Sequence, residues 1–171
     1  MKLIEALKKI KNLQEKADDL KSKVHTYCAD QSHETPTYGD NQKEQIKEWI
    51  QSYEDTLKEI LRLRVAIQKT NLQTPVTIEL GGKAVTKSIS EWIHRRRDFA
   101  DRSLQLWKGI GDRGLREGNI KTSTGEMQEV KIRRYYEPRE RDEKVELYRS
   151  EPTIIDSVLE VKNAVTDLIE T

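Results

Sequence analysis

One cysteine in 171 residues, three histidines and no long apolar run define this chain first by what they exclude. The lone Cys28 rules out an internal disulfide framework, so packing alone must hold the fold. No stretch approaches the roughly 18 apolar residues that a membrane-spanning helix needs. The opening MKLIEALKKIKNLQEK has no continuous apolar core, so it does not read as a signal peptide. The expectation is a soluble, cytoplasmic protein. Lysine and arginine number 31 against 30 acids, leaving a net charge of +1. That balance gives no global field to draw in nucleic acid or acidic membranes, so any basic site must be local. A nucleophile elbow, a P-loop and an HExxH are all missing, and no histidine stands with a plausible nucleophile. The chain therefore reads as no enzyme, with no cofactor.

What is present is charge and helical period. Charged residues make up 36% and hydrophobic ones 35%, a balance that suits helices burying one stripe each rather than a large spherical core. Leu3, Ile10, Ala17 and Val24 recur every seven residues, interleaved by Ala6, Leu13, Leu20 and Tyr27. That heptad seam predicts a long first helix packed along its length. After a polar loop with Pro36 and Gly39, a second helix is expected from about 40 to 70. Ile46, Tyr53, Ile60 and Ile67 form its buried row, with Ile50 and Leu57 beside them. Residues 1–73 thus read as an antiparallel helical hairpin, and its seams predict a homo-oligomer.

Beyond the hairpin, residues 74–87 read as a short β-hairpin turning on Gly81-Gly82. Ser88 and Glu91 form a capping box that opens a third helix over 88–110. Its expected inner row is Ile89, Trp92/Ile93, Arg96, Phe99, Ser103, Leu106/Trp107 and Ile110. Gly109-Ile-Gly111-Asp-Arg-Gly114 matches GxGxxG literally, but a dinucleotide fingerprint must follow a strand and open a helix. Here the glycines close a helix, whose C-terminal dipole repels anions. Residues 119–149 read as a β-rich insertion, with a strand running through Tyr136 and another over 144–148. Residues 153–170 read as a final helix. The fold class is mainly α: a single domain made of a long antiparallel hairpin or bundle with one or two small β-hairpins.

Two basic segments carry the candidate site. In Trp92-Ile-His94-Arg95-Arg96-Arg97-Asp98, helical spacing puts Arg95 and Arg102 on a solvent face and Arg96 on the apolar row. A guanidinium there must meet a carboxylate or an incoming anion. In the second segment, Arg133, Arg134, Tyr135 and Tyr136 interleave cations with rings, followed by Arg141 and Arg149, a pattern that grips phosphate and stacks a base. Nearby acids dilute that charge, which favours a small phosphorylated ligand over DNA. A metal reading attaches to His25, Cys28 and His33, with Asp30 or Glu34 as the fourth ligand. They lack the two spaced pairs of a structural zinc site and read as helix-end polar residues.

The MKLIEAL opening, IQKTN at the end of the second helix, RRRD in the third and a late basic stretch before a final helix occur in one order. That order resembles the septicolysin family of small bacterial helical proteins, mostly of unknown function. The likeness covers about 1–101 and 141–169, with about 109–138 as an insertion and a shorter final helix than the family pattern. The family name implies a pore-forming activity. From the residues themselves, the leading expectation is a non-enzymatic oligomer that captures a nucleotide-type ligand, as phage immune-evasion sponges sequester signalling nucleotides. The alternative is a helical interaction module with no small ligand.

Overall fold

Helix α1 spans Leu3–Tyr27 and begins where the Glu5 carboxylate accepts a hydrogen bond from the Lys2 amide, at 2.8 Å. The computed structural model describes residues 1–170. Of the expected heptad seam, Leu3, Ala6, Ile10, Ala17 and Leu20 are buried, and Leu13, Val24 and Tyr27 are half-buried. A loop follows, held by three rings. Tyr38 stands edge-on to both Tyr27 and Trp49, each with centroids 5.2 Å away. Gln42 also donates to the Tyr27 carbonyl at 3.0 Å.

Helix α2, Gln42–Gln73, runs back against α1, and Lys9 reaches Glu59 at 2.7 Å. Its buried face is Thr56, Ile60, Leu63, Ala66 and Thr70. The two threonines fit there because each hydroxyl donates to the carbonyl four residues back, Ser52 and Ala66. Ile46, Tyr53 and Ile67 are half-buried, whereas Ile50 and Leu57, expected beside the buried row, face outward. The inner face is rotated away from them by the small residues, which let α1 approach on that side.

Strands β1 (Pro75–Leu80) and β2 (Lys83–Ser88) pair antiparallel about Gly81 and Gly82. Both glycines sit at positive φ, 57° and 76°, as a two-residue hairpin turn requires. Helix α3, Ile89–His94, starts on the expected Ser88–Glu91 capping box. It passes through a π turn at Arg95–Phe99 into α4, Ala100–Gly109. In that turn the Ala100 amide donates to the Arg95 carbonyl, five residues back. The extra residue advances the inner row by one position. Ile89, Trp92 and Ala100 are buried, with Ser103, Leu104 and Trp107 half-buried, while Phe99 is exposed. The expected row of Arg96, Phe99 and Leu106 assumed an unbroken 3.6-residue period and is corrected by that shift.

Strands β3 (Gly118–Lys121) and β4 (Met127–Val130) form the second hairpin, with Gly125 in its turn at φ 88°. Regular pairing stops at Val130, so Arg133–Tyr136 lie in irregular chain rather than on the expected strand. Helix α5 covers Pro138–Val165, absorbing the expected strand at 144–148. The reason is positional: Pro138 opens the helix, where its missing N–H costs nothing, and Glu140 favours the first turn. Pro152 lies inside the helix without ending it.

Contacts divide the described residues into two compact units, 1–74 with 160–170 and 75–159. In the first, Leu3 and Leu168 amides donate to Thr166 and Met1 carbonyls at 3.0 and 2.8 Å, stitching the chain's end to its start. Lys2 adds an ion pair to Asp167 at 2.8 Å, and the Ile169 amide donates to Thr70 Oγ1 at 2.9 Å. In the second, the Trp92 indole donates to the Val76 carbonyl at 2.9 Å, locking α3 onto the first hairpin.

Candidate interaction surface

The arginines that sequence reading assigned to a ligand are mostly held by acids of their own chain. Arg95 and Arg96, which open the π segment, are both half-buried, and each meets an acid. Arg95 takes the more buried partner, Glu151. Its Nε and Nη2 donate to the two oxygens of Glu151, the second at 3.1 Å, and Tyr148 stacks beneath it at 5.4 Å. Glu151 is only 1% exposed, and its carboxylate holds the Arg95 guanidinium above its ordinary pKa. Arg96 pairs with Asp156. Trp92 is buried, its one donor already used. Arg149 pairs with Glu146 at 2.9 Å, and Arg141 bonds Asp142 at 2.7 Å and the Ile110 carbonyl at 3.2 Å.

Arg134 grips Asp112 through two bonds of 2.8 and 2.6 Å, and the Tyr136 hydroxyl donates to the same carboxylate at 2.9 Å. Arg134 first, and Tyr136 second, hold the Asp112 carboxyl below its usual range. This clasp ties the irregular stretch after β4 to the loop after α4. Arg97 and Arg133 meet no carboxylate among the described residues. Arg133, Arg134, Tyr135 and Tyr136 do come together, lining with Arg113 an open hollow of about 420 Å³. Arg95 lines a different one of about 560 Å³ with Lys87, Glu91, His94 and Phe99. Among the described residues these hollows thus draw on the two basic segments separately. His25, Cys28 and His33 are exposed, and the Cys28 thiol turns to the His25 carbonyl at 3.6 Å. Among the described residues no group of three or more His, Cys, Asp or Glu is placed to hold a metal.

The feature left unsatisfied is apolar. On α2, Ile50, Leu57, Leu61, Val65 and Leu72 are all exposed, Leu61 and Leu72 by 64% and 65%. At 100° per residue these five fall within one stripe, roughly opposite the face formed by Thr56, Ile60, Leu63, Ala66 and Thr70. The helix is thus apolar on two sides, and only one is covered. The sequence reading missed this surface because it grouped Ile50 and Leu57 with the buried row as its neighbours. The spacing of Leu61, Val65 and Leu72 relative to them is the signal that would have shown it.

With the geometry in view, comparison places the chain among proteins without an assigned activity. Residues 10–168 match the model of a family of unknown function, DUF6847, and the chain belongs to that family. A crystal structure of a functionally unknown conserved protein from Corynebacterium diphtheriae is similar in fold, with a TM-score of 0.57 and 20% identity over 99% of each chain. No curated protein matches. No helix among the described residues is long and apolar enough to cross a membrane.

Proposed function

We propose that this family member is a non-catalytic helical interaction module that self-associates through the outer face of α2. One observation carries the reading: five large apolar side chains stand exposed in a single stripe on a helix whose other face is already packed. Isolated surface apolar residues need no explanation, but an aligned patch of several hundred Å² on a soluble chain marks an interface. A heavily charged sequence with small buried stripes fits a protein that completes its burial in an assembly. Association with the folded state stabilises it by mass action, so the melting temperature rises with protein concentration. Replacing Leu61 with Glu abolishes that rise without altering the circular dichroism spectrum. A melting temperature independent of concentration in the parent protein contradicts the reading.

Capture of a phosphate-bearing small ligand of nucleotide type, such as a signalling nucleotide, is the second reading. It is favoured by the hollow where Arg113 and Arg133 lack an acid partner among the described residues and Tyr135 is 88% exposed. The same melts run with nucleotides test it: a saturable stabilisation lost in Arg133→Ala supports capture, and no shift with any nucleotide removes it. Leakage from liposomes would instead favour the pore-forming activity implied by the septicolysin resemblance.

A further inference from the structure

The exposed stripe on α2 has an internal order that selects its partner and its direction. Taken with two polar members, it reads Ile50, Glu54, Leu57, Leu61, Val65, Gln68 and Leu72, stepping by 4, 3, 4, 4, 3 and 4 residues. Two eleven-residue periods meet at Leu61. That period averages about 3.67 residues per turn, close to a straight helix, so the seam stays on one side without left-handed supercoiling. The order is also palindromic about Leu61. Turned end for end, the stripe superposes on itself.

We propose that α2 pairs antiparallel with α2 of a second copy of this chain about a two-fold axis at Leu61. The inference rests on the stripe being an interface at all. In this register Leu61 meets Leu61, Leu57 meets Val65 and Ile50 meets Leu72, giving the self-complementary patch that a two-fold contact requires. The two polar members decide between directions. Antiparallel pairing sets the Glu54 carboxylate against the Gln68 amide, which donates to it. Parallel pairing sets Glu54 against Glu54, two like charges beside an apolar seam, which is destabilising. Neither side chain has a partner within the chain among the described residues. The five apolar side chains expose on the order of 500 Å² per copy, so a pair buries on the order of 1,000 Å², the threshold for a specific contact.

Cysteine cross-linking tests the register in a Cys28→Ser background, where no other thiol remains. All positions used are exposed, and circular dichroism confirms folding before cross-linking. With a short bis-maleimide, Leu61→Cys links to itself. Ile50→Cys and Leu72→Cys link to each other when mixed, and each fails to link alone. Efficient self-linking of Ile50→Cys and of Leu72→Cys overturns the antiparallel register while leaving the stripe an interface. A chain that stays monomeric by light scattering overturns the interface itself, and a dimer that links at none of the three positions places it on another face.

Discussion

Glu151 shows how one buried acid organises the second unit. Its carboxylate is almost wholly removed from water, and the fork of Arg95 is what it meets there. Breaking a buried pair costs more than forming it gains, because the remaining charge is left without a partner. Glu151→Ala is therefore expected to lower unfolding free energy by about 3 kcal/mol, and the Arg95→Met, Glu151→Leu double variant to recover most of it. Chemical denaturation of both reads the difference, and a loss in Glu151→Ala below about 1 kcal/mol contradicts this role. Glu59 is the corresponding acid in the first unit. Arg62 holds it at 2.8 and 3.0 Å and Lys9 at 2.7 Å, pushing its pKa down from 4.5 to about 2. A carboxyl with a depressed folded-state value stabilises above its unfolded value, and that contribution fades as pH falls through the window from 4.5 to about 2. Glu59→Gln is expected to unfold at lower urea than the parent at neutral pH, with the gap closing across that window. A constant gap down to pH 2 rules the mechanism out.

Among the elements, the π turn is where local sequence and observed packing part. Trp92 and Ala100 are both buried, eight residues apart, and a regular helix would place them about 80° out of line. One residue looped into the turn restores the alignment. Deleting exposed Arg97, which has no acid partner among the described residues, returns the segment to a seven-residue spacing that a regular helix keeps in phase. The variant is expected to keep its helical content and melt within a few degrees of the parent by circular dichroism. An unfolded deletion variant shows that the turn holds something besides the phase of the row. Elsewhere the elements were readable. The heptads of α1, the Gly81-Gly82 turn and the Ser88 capping box each rest on signals within a few residues, and each formed where its spacing required. What could not be read was the inward direction of α2, which Thr56, Ala66 and Thr70 set through their small size rather than through hydrophobicity. The same holds for the start of α5. Pro152 reads as a break, yet the helix runs through it from Pro138.

For the molecule as a whole, the candidate site moved from charge to apolar surface. Arg96 stood out in the sequence as a cation on a greasy row that must meet a carboxylate or an incoming anion; the row is displaced, and carboxylates meet both arginines, Asp156 for Arg96 and Glu151 for Arg95. No local pattern could show acids 56 and 60 residues away arriving to neutralise them. The stripe on α2, by contrast, stands exposed among the described residues, and self-association is what would cover it. Light scattering after size exclusion, comparing the parent with Leu61→Glu, reads this most directly. The expected result is twice the chain mass for the parent and a single-chain mass for the folded variant. Equal masses for the two proteins, whether both single or both assembled, would contradict it.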